Sequence, residues 1–112
     1  MKSITPSIDS RLCRRLRQET RCEVRFDPGT RGLYATDASL YEIVPIGVAL
    51  PRSRDDAAVA MAIAAEEGVP IVPRGAATSL SGQTIGEALV LDCSKYLNRV
   101  GVVDRASRRV HV

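Results

Sequence analysis

Apolar residues recur along this chain with two different periods. Between Ile8 and Glu19, the residues Ile8, Leu12 and Leu16 fall every four positions on one stripe, with arginines covering the rest. That spacing predicts a short helix that docks on a larger body instead of folding alone. From Thr20 to Glu42 the pattern is irregular, with Asp27-Pro28-Gly29 a turn signal and Gly32 a further break, so a loop or arm is expected. Its Arg31, Tyr34, Thr36, Asp37, Ser39 and Tyr41 are too many for filler, yet periodicity assigns them no structure.

A clearer grammar begins at Ile46. Ile46 to Leu50 is a short apolar run closed by Pro51, as suits a buried strand. Ser53 is a good N-cap, Asp56 three residues on makes an imperfect capping box, and Asp55 suits the helix dipole. The helix so opened runs to about Glu67 and stops at Gly68, where a left-handed residue is expected. Ala57, Val59, Ala60, Ile63 and Ala64 give it a small-residue face for close approach to a sheet. Val69 to Pro73 is a second strand, completing a βαβ unit that should be parallel and right-handed. Ala88 to Asp92 reads as a third strand, Ser94 to Asn98 as a turn, Arg99 to Asp104 as a fourth strand and Arg108 to Val112 as a fifth, with Leu97 and Val100 in the core. The expected fold is α+β, a βαβ unit extended by further strands. Residues 1–42 form a helix and arm, and residues 43–112 a domain that looks interrupted at its C-terminal end.

Composition narrows the function classes. The 112 residues, 45% hydrophobic, suffice for one small domain, which hides about two-thirds of its unfolded surface. The net charge is +3, with Arg11, Arg14, Arg15, Arg17, Arg21 and Arg25 crowded near the start. A solvated helix face or partner-facing surface accounts for such a cluster better than nucleic acid does. With no tryptophan and 4% aromatics, stacking platforms for single strands are not expected either. Cys13, Cys22 and Cys93 are odd in number and widely spaced, so they predict reduced thiols and no metal site. No apolar run approaches the roughly 20 residues needed to cross a bilayer. A cytoplasmic setting, at most peripheral to the inner membrane face, is the simplest expectation. His111, between two valines, reads as structural or exposed, and Arg31 and Asp37 as surface ion-pair formers or contacts to a ligand or neighbouring domain.

The chemistry concentrates in Pro73-Arg74-Gly75-Ala76-Ala77-Thr78-Ser79-Leu80-Ser81-Gly82-Gln83, directly after the second strand and outside its carboxyl end, where ligands bind in open α/β sheets. Gly75 and Gly82 permit unusual backbone angles, Ala76 and Ala77 keep the surface low, and Thr78, Ser79 and Ser81 add hydroxyls to a potential anion nest. By composition alone a tight surface turn competes equally. Two nucleotide templates fail: Gly82 is followed by Gln83 and Thr84 where a Walker A loop needs Lys and Ser/Thr, and no G-x-G-x-x-G opens a helix. A phosphate here would sit in a loop nest, away from any helix N-terminus.

These residues resemble the pyrophosphate loop of the FAD-binding domain shared by vanillyl-alcohol oxidase, p-cresol methylhydroxylase and the D-lactate and glycolate dehydrogenases. Pro45-Ile46-Gly47-Val48-Ala49-Leu50-Pro51-Arg52-Ser53, Gly68-Val69-Pro70 and Leu91-Asp92-Cys93-Ser94-Lys95-Tyr96-Leu97-Asn98-Arg99-Val100 agree with it. Tyr34-Ala35-Thr36-Asp37-Ala38-Ser39 is similar to the arm of the D-lactate dehydrogenase-like branch. The resemblance implies the first subdomain of a p-cresol methylhydroxylase-type domain, in which Arg74, Gly75, Ala76, Ala77, Thr78, Ser79, Gly82 and Gln83 bind FAD. Amides from about Arg74 to Ser79 would hold the pyrophosphate, the Thr78 and Ser79 hydroxyls would assist, and Gly82 would allow close approach. Ala76 and Ala77 stand where many members have glycines, so a left-handed conformation at either would cost roughly 1 kcal/mol or more. Thr78 occupies the position of the flavin-linking histidine of some members, so attachment at this loop should be non-covalent.

The implied activity is flavin-dependent oxidation of a 2-hydroxy acid such as D-lactate or glycolate, with the α-hydrogen passing as hydride to the flavin. A substrate domain and the remainder of the flavoenzyme, or a partner subunit, would complete it. No catalytic residue is nominated in this chain. The alternative is a non-catalytic truncated fragment or partner-binding module of a larger flavoprotein.

Overall fold

The computed structural model describes the backbone of residues 6–112; the side chain of Ile8 lies outside the described residues. Helix α1 (Pro6–Glu19) is followed by strand β1 (Glu23–Arg25), helix α2 (Pro28–Leu33), strand β2 (Gly47–Leu50), helix α3 (Arg54–Glu66), strand β3 (Ile71–Arg74) and strand β4 (Leu89–Asp92). The strands form one sheet in the order β1-β2-β4-β3. The architecture is α+β, as expected, but β2 and β3 are not neighbours. Strand β4 lies between them, parallel to both, with Val90 paired to Val48 on one side and to Val72 on the other.

The signals at the two ends of α3, Ser53 and Gly68, hold. Ser53 Oγ accepts the Asp56 N–H at 3.1 Å. Asp56 does not complete a capping box: its carboxylate accepts from Arg52 N at 3.2 Å and Arg21 N at 3.1 Å, tying the entry to β1 onto the helix start. At the other end Gly68 has φ +70°, its N–H bonds Ala65 O at 3.1 Å, and Val69 N–H bonds Ala64 O at 2.8 Å. That pair of bonds is a Schellman motif, which satisfies carbonyls the helix would otherwise orphan. Ala60, Ile63 and Ala64 are buried against the sheet and Ala57 partly so, whereas Val59 turns out to solvent.

Three expectations need correction. The stretch from Thr20 to Glu42 is not loop throughout. Strand β1 pairs antiparallel with β2, Val24 opposite Ala49; a strand of three residues with one apolar position is invisible to periodicity. Asp27-Pro28-Gly29 opens α2, with Asp27 Oδ2 accepting the Thr30 N–H at 2.9 Å and Pro28 at the first helical position, where its missing N–H costs nothing. Residues 99–112 do not form the fourth and fifth strands. A two-residue bridge joins Asp104 and Arg109, Gly101 N–H bonds His111 O at 2.7 Å, and Val100, Val102, Val103 and Val112 are 71%, 92%, 61% and 93% exposed. Alternating valines make a stable strand only with a sheet to bury them, and an isolated two-stranded ribbon is marginal. Val100 is therefore not core, and Leu97 is only partly buried.

The sheet buries both faces. On one, Leu12 and Leu16 of α1 and Ala60, Ile63 and Ala64 of α3 pack on Ala49, Leu89 and Leu91. On the other, Val48, Leu50 and Val90 are covered by Tyr34 and Tyr96. The alternation of strand side chains divides these two clusters. Two of the arginines of α1 are committed to carboxylates: Arg15 bonds Glu19 at 2.8 Å, Glu66 at 2.8 Å and Glu67 at 3.1 Å, and Arg11 also pairs with Glu67. These ion pairs lock α1 to the C-terminal turn of α3. Arg11 first, then Arg15, hold the Glu67 carboxyl below the ordinary glutamate range.

Leu89→Ala should cost about 2–5 kcal/mol, because Leu89 is fully buried between two strands and two helices. The check is a lowered urea midpoint at unchanged slope. Because the folded pKa of Glu67 is depressed, its contribution is complete above the ordinary glutamate value of about 4.3 and is lost as pH falls through the folded value. Glu67→Gln should accordingly flatten the acid limb of a stability–pH profile below that value while lowering stability at neutral pH.

Candidate functional site

Because β2, β3 and β4 are parallel, their carboxyl ends share one edge of the sheet. Residues 73–83 leave β3 at that edge. Arg74 O accepts the Cys93 N–H at 2.9 Å, so the base of the loop is still fastened to the chain leaving β4. No helix follows before β4, in keeping with a loop nest.

Among the described residues, the N–H groups of residues 75–80 donate to no protein acceptor. Consecutive backbone donors left open at a strand's carboxyl end are suited to an anion. Ala77 takes φ +59°, a left-handed conformation that alanine adopts only at a cost. Its carbonyl is turned to accept the Ala38 N–H at 3.0 Å. Gly82 has φ +75°, and a Cβ there would lie 2.8 Å from the Tyr41 ring. Tyr41 packing, as much as any ligand, demands glycine at that position.

The hydroxyls divide their work. Ser79 Oγ donates to Gln83 Oε1 and accepts from Ser81 N at 3.3 Å and Gln83 N at 3.2 Å, so it shapes the loop from within. Thr78 is exposed and makes no hydrogen bond to a described residue. The Arg74 guanidinium is directed away from the loop: it bonds Tyr34 O at 3.2 Å and lies 4.9 Å from the centre of the Tyr34 ring. Tyr34 in turn donates its hydroxyl to the buried Asp92, whose other oxygen accepts from Ser94 N at 2.8 Å and Ser94 Oγ at 2.7 Å. Burial first, and then the Asp92 hydrogen bond, push the Tyr34 hydroxyl up to about 12.

Sequence reasoning left the arm unassigned, and the structure shows where it goes. Residues 34–42 form a small turn, with Ile43 N–H bonded to Ala35 O at 2.9 Å and a bridge between Thr36 and Glu42. Asp37 accepts from Ser39 N at 2.8 Å and from Thr84 Oγ1 at 2.8 Å and Thr84 N at 3.4 Å. Ser39 first, with Thr84 adding, lowers the Asp37 carboxyl to about 2. Arg31 donates to Pro45 O at 2.8 Å. Neither Arg31 nor Asp37 forms an ion pair among the described residues. Only the density of polar residues in the arm could have signalled the Asp37–Thr84 contacts, since they span 47 residues of chain. His111 is exposed in the tail, and the three cysteines are free thiols.

Against known proteins, the family described as FAD binding domain matches residues 45–112. The chain belongs to that FAD-binding family. FAD is thus its cofactor, and the open amides of residues 75–80 are donors of the kind a phosphate takes. It is 32% identical over 81 residues to the D-2-hydroxyglutarate dehydrogenase of Pantoea ananatis, covering 70% of this chain and 8% of that protein. It is 35% identical over 83 residues to the glycolate oxidase subunit GlcD of Bacillus subtilis, covering 70% of this chain and 18% of that protein. The chain thus spans less than a fifth of the length of either relative. In fold it is similar to an alkyldihydroxyacetonephosphate synthase structure, with TM-score 0.73, 20% identity and coverage of 87% of this chain and 21% of that one. It is also similar to the Physcomitrella patens BBE-like 1 structure, with TM-score 0.68, 21% identity and coverage of 85% and 21%. No helix among the described residues of this FAD-binding domain is long and apolar enough to cross a membrane.

Ala77→Gly should raise stability by about 1 kcal/mol relative to Ala76→Gly, because the first substitution relieves a left-handed alanine while both add chain entropy to the unfolded state. Urea denaturation of the two single variants makes the comparison; equal effects would mean Ala77 is not held at positive φ.

Proposed function

We propose that residues 73–83 bind the pyrophosphate of FAD non-covalently, and that the chain is the FAD-binding portion of a flavin-dependent oxidoreductase of 2-hydroxy acids. The observation that carries this reading is the row of N–H groups at residues 75–80 with no acceptor among the described residues. In a folded protein such donors are rarely left without a partner or water, and a run of consecutive open amides is the donor set a phosphate takes. Residues Gly75, Ala76, Ala77, Thr78 and Ser79 would supply the amides and Thr78 a free hydroxyl. Ser79 and Gln83 would keep the loop's shape, Gly82 would admit the Tyr41 ring, and Arg74 would anchor the loop's base through Tyr34 and the Cys93 amide. Thr78 offers no imidazole for covalent attachment. The flavin supplies the two-electron redox chemistry, and this chain supplies binding and orientation. The substrate class is drawn from the relatives' names, both of which denote oxidation of a 2-hydroxy acid. A cytoplasmic setting goes with that reading.

A second reading concerns the tail. Val100, Val102, Val103 and Val112 are exposed in the two-stranded tail. We infer that they seat on the remainder of the flavoenzyme or on a partner subunit; the alternative reading is that the chain is a non-catalytic fragment or partner-binding module of a larger flavoprotein.

Titration of FAD with the whole chain should quench flavin fluorescence at micromolar concentrations and shift the amide resonances of residues 75–80. Ala76→Glu, which sets a carboxylate among those amides at an exposed position, should weaken binding at least tenfold. Undiminished FAD affinity in that variant, or shifts confined to residues outside 73–83, would overturn the assignment.

A further inference from the structure

We propose that the arm, residues 34–42, is a clasp that sets the phosphate-binding conformation of the 73–83 loop, with Asp37 as its positioning residue. The proposal rests on that loop being the pyrophosphate site.

The arm touches the loop at its beginning, middle and end. At the beginning, Tyr34 takes the Arg74 guanidinium through its carbonyl and its ring. In the middle, Ala38 N–H donates to the carbonyl of Ala77, the residue with left-handed φ. At the end, the Tyr41 ring covers Gly82, and Asp37 accepts both the hydroxyl and the amide of Thr84. A loop spanning these points has little freedom left.

The orientation at Ala77 gives the clasp its meaning. Ala77 combines φ +59° with a carbonyl held by the arm, and alternation of right- and left-handed residues is what makes successive N–H groups converge into a nest. The left-handed alanine persists because surrounding contacts over-determine it. Asp37 orders the arm as well as gripping the loop, since the same carboxylate accepts the Ser39 N–H and so closes the turn that presents Ala38. Removing Asp37 therefore releases the loop at Thr84 and loosens the donor that holds Ala77. No charge on Asp37 faces the ligand in this scheme; it acts through the loop.

The test is made on the whole chain with Asp37→Leu and Asp37→Asn, probed with FAD and with inorganic pyrophosphate. Hydrogen exchange at Ala38 and Thr84 should quicken in Asp37→Leu while the amides of Leu89–Asp92 keep their protection. FAD and pyrophosphate should both bind at least tenfold more weakly, and Asp37→Asn, which keeps one accepting oxygen, should recover part of the loss. If both ligands bind Asp37→Leu within twofold of wild type although the arm amides have opened, the clasp is refuted. If wild type binds neither ligand, the FAD reading fails by itself, and the Ala77 backbone coupling constant decides the clasp: a change away from positive φ in Asp37→Leu supports it, an unchanged value refutes it. If Asp37→Leu also deprotects Leu89–Asp92, Thr84→Val replaces it, with about a threefold loss of affinity expected and no loss refuting the proposal.

Discussion

The whole arrangement depends on the backbone ladder that threads β4 between β2 and β3. Parallel pairing on both sides forces three strand ends onto one edge, and the loop, Asp92 and Arg74 are neighbours for that reason. It also forces both faces of β4 into the interior, since α1 and α3 cover one and Tyr34 and Tyr96 the other. Burial without exception along Leu89–Asp92 is the result. Asp92 accepts that burial because its two oxygens find Tyr34 on one side and Ser94 on the other.

How much of this the sequence discloses depends on the range of the force involved. Ser53 and Gly68 mark the ends of α3 because capping and Schellman bonds join residues a few positions apart. The apolar runs of β2 and β4 are legible for a similar reason: burial on both faces leaves an unbroken hydrophobic word. The neighbour of β2 is not legible, because nothing in a strand's own residues says whether it pairs with the next strand or the one after. Strand β1 is hidden by brevity, and the tail misleads because alternation of valines records capacity for pairing without supplying a partner.

The candidate site divides along the same line. Glycine, alanine and hydroxyl residues outside a strand point to the 73–83 loop directly. The arm that grips it lies some forty residues earlier, and its Asp37, Ala38 and Tyr41 meet the loop only through the fold. Two side chains in the loop also do other work than their chemistry suggests. Arg74 faces the arm and Ser79 faces Gln83, so the anion-binding capacity lies in the backbone, where sequence composition speaks only indirectly.

The placement of β4 has a further consequence for the order in which the molecule can assemble. As the chain leaves the ribosome, β2 and β3 appear first, separated by a helix, and neither is the other's hydrogen-bonding neighbour. The parallel part of the sheet has nothing to close around until residue 92 has emerged, and β2 meanwhile can pair only with β1. Domains emerge and fold from the N-terminal end, and contacts that await distant residues form late. The nascent chain therefore carries an open apolar edge from the emergence of β2 until β4 follows it, and the strand that arrives after the other three is the one that joins the two halves of the sheet.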